Sequence, residues 1–295
     1  MAAVWPCRTS QREVLAYKAL AKSSLGPFLC KFHRIRKVGD VQYMELDSAY
    51  AGLQGPTATM DIKIGKKTWE DDASPAKVAK ESKKFDEVYS KSSAMDGFRV
   101  AGMKAGDLVL KSSNLKARFS LKTEEFASWL LPAFFACPPG FGQLPAGVGE
   151  KPDARGCDID MLTAADVLEK VRAISEAAEM GFGGTLRASS LLFTREMRLG
   201  GKCTVHLIDF AHFSPSNDLP MGDRDANFCD GLQNLIGVWQ DWCPRLPERG
   251  WCTCCGRRKW SLSIQLYLLP LMFFGFNLRL WWHVWNLCNS EVVSC

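Results

Sequence analysis

Apolar and polar residues alternate most regularly in ATMDIKIG, where Met60, Ile62 and Ile64 are interleaved with Asp61, Lys63 and Gly65. Period two is the repeat of a strand, so one face of this segment is expected to be buried. The other projects a carboxylate beside an ammonium. Upstream, Ser10 and Glu13 have capping-box spacing, and Val14, Tyr17 and Ala21 mark one face. This predicts a helix over residues 10 to 23, ended by the Gly26-Pro27 turn. FLCKFHRIRKV and VQYMEL, parted by Gly39-Asp40, predict a hairpin.

Ser74 as N-cap and Pro75 at the first helical position open a helix in DDASPAKVAKESKKFDEVY. GFRVAGMKA and LVLK read as strands joined at Gly106-Asp107, and KTEEFASWLLPAFF as a helix closed by Pro132. The Gly- and Pro-rich stretch from Cys137 to Gly156 reads as a loop or insert. A long helix follows in TAADVLEKVRAISEAAEM, then strands SSLLFTRE and CTVHLIDFAHF around Gly200-Gly201. NFCDGLQNLIGVWQDW predicts a last helix with Leu232, Leu235 and Trp239 inward. Strands and helices in this mixture predict an α+β fold.

The chain has 295 residues and is 47% hydrophobic, enough to bury a sizeable core. A net charge of +5, from 37 basic and 32 acidic side chains plus four neutral histidines, does not by itself call for nucleic acid or a membrane as partner. The twelve cysteines are scattered or gathered near the end rather than spaced as a secreted disulfide framework. MAAVWPCRTSQRE lacks a signal-peptide pattern. A reducing interior, cytoplasmic or nuclear, is therefore expected, with the chain a monomer.

Polar groups stand at the end of three separate β-like runs: Asp61 with Lys63, then Ser190, then Asp209 with His212. A lone acid in a strand is ordinarily a hydrogen-bonded structural group. The D-x-K spacing differs, because both side chains share a face and can meet one substrate oxygen. A base beside a charge stabiliser is what phosphoryl transfer needs. Lys63, Lys66, Lys67, Lys77, Lys80, Lys83 and Lys84 fall within 22 residues. Such a run is a solvated helix face, with Glu81 and Asp86 as partners, or a convergent set of point charges for a polyanion. Cys252 and Cys255 form a single C-x-x-C without a second pair, and the glycines of MGFGGTLRA lack phosphate-loop context.

TMDIKIG resembles the D-x-K-x-G signature of the inositol polyphosphate kinase family, ASSLLF its S-S-L-L element and LIDFAHF its I-D-F-A-H element, in the family's order. YMEL, GFRVAG and DGLQNLIGVW are similar to flanking family segments, so the resemblance runs from about Ser10 to Trp242. It implies a two-lobed kinase-like fold. Residues 1–47 would form a reduced nucleotide lobe and hinge, and residues 48–243 a larger catalytic lobe that also binds the inositol phosphate. Asp61 would orient or deprotonate the attacking hydroxyl and Lys63 would contact the transferred group. Asp209 would hold Mg²⁺ against the ATP phosphates, with Ser190 in support. The backbone of Glu45 and Leu46 would meet adenine and Asp47 the ribose. Lys63, Lys66, Lys67, Lys77, Lys80, Lys84 and Arg118 would line the site for a soluble inositol polyphosphate. Gly65, Glu13 and His212 would be supporting residues, His212 either orienting the Asp209 loop or acting directly.

The KKTWEDDASPAKVAKE segment is closest to the multikinase branch, which implies tris- and tetrakisphosphates as substrates, with a hexakisphosphate kinase as the alternative. The family's nucleotide lobe begins with strands that cover ATP and supply a lysine. Only nine residues precede the helix at Ser10, so the lysine-bearing strand is expected to be absent, with Glu13 the acid such a lysine would pair with. A catalytically weak inositol phosphate-binding fragment is thus a second reading. Residues 244–295 are unlike the family and rich in Cys and Trp. Residues 261–287 include an 18-residue uncharged run near the lower limit for a membrane span, behind Arg257-Arg258-Lys259. A membrane tether and an altered coding end both fit this stretch.

Overall fold

Alternation between Thr57 and Ile64 organises the centre of the molecule. In a computed structural model, which describes residues 4–90, 92–106, 108–111, 121–137, 158–215 and 224–243, this segment is strand β4 (Thr57–Ile64). Ala58, Met60, Ile62 and Ile64 are fully buried, while Thr59, Asp61 and Lys63 take the more open face. Two-residue pairs, β7 (Ala136–Cys137) with β8 (Asp158–Ile159) and β9 (Gly184–Thr185) with β12 (Ser214–Pro215), stand apart. Around β4 lie β5 (Phe98–Ala105), β6 (Leu108–Lys111), β10 (Ser190–Glu196) and β11 (Cys203–Ile208). They form a five-stranded antiparallel sheet in the order β11-β10-β4-β5-β6. All described residues lie within one compact unit, Met1–Pro244.

Two helices, α5 (Met161–Glu179) and α6 (Ala226–Trp242), pack together and bury their apolar faces. Leu232, Leu235 and Trp239 of α6 are fully buried, as their spacing predicts. The Trp239 ring sits 5.5–6.4 Å from the centroids of Phe126, Phe135 and Phe193, which joins helix and sheet in one aromatic core. Helix α2 (Pro75–Lys84) starts where its signals place it, with the Ser74 hydroxyl accepting from the Lys77 amide.

Three short elements, β1 (Val4–Arg8), β2 (Phe32–Val38) and β3 (Val41–Asp47), form a second sheet in the order β1-β3-β2. Helix α1 (Gln11–Leu20) follows β1, and the Ser10 cap accepts from the Glu13 amide. Thus a strand precedes α1, and its residues VWPCR include no lysine. Pro6 at its centre fits an edge strand, where one side of the backbone needs no partner. The β2 strand begins later than the apolar run implies, because Gly26–Phe28 forms a 3₁₀ turn first.

Pro132 does not close its helix either. Segments α3 (Thr123–Glu125) and α4 (Leu131–Phe135) are joined through a π-helical turn, Phe126–Leu130, and the chain stays helical to Phe135. A proline lacks the amide donor and crowds the carbonyl four residues back. Widening the preceding turn relieves both constraints, so Pro132 falls in the first turn of α4. Arg118, most of the Gly/Pro-rich stretch and the tail after Cys243 lie outside the described residues. No helix among the described residues is long and apolar enough to cross a membrane.

Candidate functional site

Strand order brings together what the sequence keeps far apart. Strand β10 lies between β4 and β11, and antiparallel pairing sets Ser190 opposite Lys63 on one side and Ile208 on the other. Asp209, the next residue after β11, therefore reaches the same end of the sheet as Lys63. The Lys63 ammonium donates to the Ser190 hydroxyl at 3.0 Å, to Asp209 Oδ2 at 2.7 Å and to the Ala188 carbonyl at 2.9 Å. Ala188 and Asp209 are the only non-glycine residues with positive φ among the described residues, at +52° and +64°. Two left-handed residues thus flank one lysine, a local backbone strain held by the surrounding structure.

Asp61 stands on the same face of β4 as Lys63. Burial pushes its carboxyl above the usual aspartate range, against the pull of Lys63, Ser190 and Arg99, and the Asp209 charge adds to the rise. Its Oδ1 is buried without a hydrogen-bond partner among the described residues. A buried acceptor left open in this way suits an incoming hydroxyl donor. Arg99, directly opposite Lys63 on β5, brings a further cation to this face, with its guanidinium 4.7 Å from the Tyr89 ring centroid. Sequence reading overlooked Arg99 because only cross-strand pairing puts it there.

Gly65 ends β4 with φ +93°, a conformation that costs a side chain dearly. A Cβ at Gly65 would fall 2.2 Å from the Asn227 side-chain amide. Asn227, on the first turn of α6, accepts from the Lys66 and Lys67 amides at 2.9 and 2.8 Å. The glycine thus admits the clamp that sets the direction of the lysine loop, a role for Asn227 that no motif signals.

The lysines divide into two sets. Lys67 pairs with Asp71 at 2.5 Å, Lys77 with Glu70 at 2.6 Å and Lys84 with Glu81 at 3.1 Å. Lys66 and Lys80 have no ion-pair partner among the described residues. Glu70 also lies 3.3 Å from His212 and 3.6 Å from Arg12. Burial raises the Glu70 carboxyl, but Lys77 and His212 outweigh that and leave it below the usual glutamate range. His212 itself is lowered by burial despite Glu70. It therefore sits in a charged junction between α1 and the loop before α2 rather than at Lys63.

Glu13 has no lysine to meet on β1. Burial raises its carboxyl, the Thr9 hydroxyl lowers it, the Asp209 charge raises it again, and the Phe210 and Ser10 amides lower it, for a net rise. The influence of Asp209 and Phe210 on its carboxyl puts Glu13 beside the Asp209-Phe210 loop. Tyr17, one turn along α1, meets Phe210 edge-on at 4.9 Å. Glu45 and Leu46 lie near the end of β3, which is flanked on both sides by β1 and β2. Arg34 donates to the Glu45 carboxylate at 2.5 Å, and Asp47 Oδ1 is 2.6 Å from His33 Nε2.

The sequence model of the inositol polyphosphate kinases matches residues 43–240. The chain belongs to that family. Its members are phosphotransferases, and the sheet that gathers Asp61, Lys63, Ser190 and Asp209 lies wholly within the matched segment. The fold is similar to that of the inositol phosphate multikinase Ipk2 from S. cerevisiae, crystallised with ADP and Mn²⁺. That comparison has TM-score 0.61 and 18% identity, covering 81% of this chain and 98% of the other. A second inositol phosphate multikinase structure matches with TM-score 0.59 and 19% identity, over 78% and 98% of the two chains. These likenesses show a kinase-like α+β fold. No curated protein sequence matches.

Proposed function

We propose that this family member uses ATP to phosphorylate a hydroxyl of a soluble inositol phosphate, tris- and tetrakisphosphates above all. The observation that carries the reading is the convergence of Asp61, Lys63, Ser190 and Asp209 at one end of the five-stranded sheet, with Lys63 bonded to both Ser190 and Asp209. The preference for tris- and tetrakisphosphates rests on the likeness of KKTWEDDASPAKVAKE to the multikinase branch, and one of the two multikinases of similar fold is bound to ADP and Mn²⁺. A hexakisphosphate kinase is the alternative within the family.

The residues present fit a divalent cation. The Asp209 side chain is 53% exposed and its bond to Lys63 is a partly solvated ion pair, worth less than about 1 kcal/mol and readily exchanged. Magnesium commonly takes one or two carboxylates and completes its shell with phosphates and water. Asp209 would hold it, with Ser190 in support, and bound there it neutralises charge on the phosphates. Asp61 Oδ1 accepts the hydrogen of the attacking hydroxyl and takes its proton as the oxygen–phosphorus bond forms and the bond to the leaving ADP breaks. Lys63 balances charge on the transferred group. Asp47 would exchange His33 for the ribose, but the backbone of Glu45 and Leu46, expected to meet adenine, is paired with β1 on one side and β2 on the other. Lys66, Lys80 and Arg99 are available to substrate phosphates at once, whereas Lys67, Lys77 and Lys84 must leave acidic partners.

Incubation with labelled ATP, Mg²⁺ and a panel of inositol phosphates tests the reading. Transfer that falls by orders of magnitude in Asp61→Asn and in Asp209→Asn is expected; no transfer by folded protein rejects it. A second reading, capture of inositol phosphates with little catalysis, has one observation in its favour: β1 carries no lysine. Calorimetry separates the two, since inositol phosphate heat without ATP heat selects the second. We place the protein in the cytoplasm or nucleus, a reading that rests on cysteines scattered or gathered near the end rather than spaced as a secreted framework.

A further inference from the structure

Strand β2 is the outer strand of the three-stranded sheet, and every residue from His33 to Val38 is exposed. Its outward amides and carbonyls form a template for one more strand. The same strand is densely basic. Lys31, His33, Arg34, Arg36 and Lys37 fall within seven residues that include no acid. Two carboxylates of β3 answer three of them: Glu45 takes Arg34 at 2.5 Å and Arg36 at 3.9 Å, and Asp47 takes His33 at 2.6 Å. Lys31 and Lys37 have no ion-pair partner among the described residues.

Beside the start of β2 lies a cavity of about 530 Å³, walled by Tyr17, Leu29 and Phe32, with Lys18, Lys22 and Lys31 around it. Exposed Ile35 and Val38 add apolar side chains farther along, one on each face of the strand. Charges on an edge strand ordinarily prevent self-pairing. Because all of these have one sign, they repel a second copy of β2 and attract an acidic strand.

We propose that this edge docks an extended acidic segment of a partner protein, which adds to β2 as a further strand and seats an apolar side chain in the cavity. Main-chain bonds supply the pairing, the lysines select the sign, and the cavity selects the side chain. An anionic membrane or a nucleic acid would meet the same charges but would leave the unpaired backbone unused.

The test is fluorescence anisotropy on the full chain with a labelled peptide of about eight residues that alternates Glu with Val and carries one Phe. Four further probes accompany it: its twin with alternate amides N-methylated, a version with Lys for Glu, phosphatidylserine vesicles, and polyuridine. The acidic peptide binds, N-methylation weakens it at least about tenfold, and the lysine version does not bind. Lys37→Glu alone, and Lys18→Glu with Lys22→Glu and Lys31→Glu, each weaken binding by about tenfold or more, with the circular dichroism spectrum retained. Equal binding of the N-methylated twin overturns the proposal. So does vesicle or polyuridine binding in the absence of peptide binding, or a folded charge-reversed chain that holds the acidic peptide as before.

Discussion

Replacing Gly65 by alanine perturbs one backbone position and, through it, the loop that carries Lys66 and Lys67. At φ +93° an alanine is strained by about 1–3 kcal/mol. The new Cβ would also lie 2.2 Å from Asn227 Nδ2 and 2.9 Å from Cγ, so the Asn227 side chain must swing away. Its bonds from the Lys66 and Lys67 amides are then lost, at about 0.5–1.5 kcal/mol each. The sum is about 2–6 kcal/mol. Asn227→Ala alone forfeits the two bonds without the strain and should cost about 1–3 kcal/mol. In the double variant the clash has gone and the bonds are lost once, so its cost falls below the sum of the singles by about 1–3 kcal/mol. Urea unfolding of the four proteins measures all three quantities. A Gly65→Ala variant within about 0.5 kcal/mol of wild type, or strict additivity in the cycle, would refute the reasoning.

Three further outcomes follow from the same structure. Asp61 has a raised carboxyl, so the folded state binds its proton more tightly than the unfolded state, and its contribution to stability falls as pH climbs from the ordinary aspartate range through the raised value. Asp61→Asn should therefore unfold at higher urea than wild type at neutral pH, with the gap closing below about pH 4; a less stable variant at neutral pH contradicts the burial argument. Trp239→Ala should lose about 3–5 kcal/mol in urea unfolding, and Trp239→Phe much less, because the buried indole N–H has no partner among the described residues. Burial pushes the thiols of Cys203 and Cys229 up to about 12 and that of Cys30 up to about 11, so mass mapping after iodoacetamide at pH 8 should find all three unmodified in the folded chain.

The local part of this protein was written in short-range patterns. Alternation in TMDIKI set the buried and open faces of β4, the Ser10 and Ser74 caps opened their helices, and i, i+3, i+7 spacing turned Leu232, Leu235 and Trp239 inward. These effects act over a few residues, so one sequence suffices to read them. Pro132 misled because the rule for proline assumes an α-helical turn before it, and here the turn is π. The strand at Val4–Arg8 went unseen since five residues with a central proline have no periodicity of their own, and pairing with β3 makes them a strand.

By itself the sequence determined which short elements form and which polar side chains stand at their ends. Tertiary structure alone decided that β10 separates β4 from β11, which puts Lys63 within 2.7 Å of an aspartate 146 positions away. It also decided that Arg99 stands opposite Lys63, that Asn227 clamps the lysine loop, and that Glu13 lies beside the Asp209-Phe210 loop. Such contacts depend on strand order and helix docking, which minimise exposed apolar area over the whole chain, and no local window contains that sum.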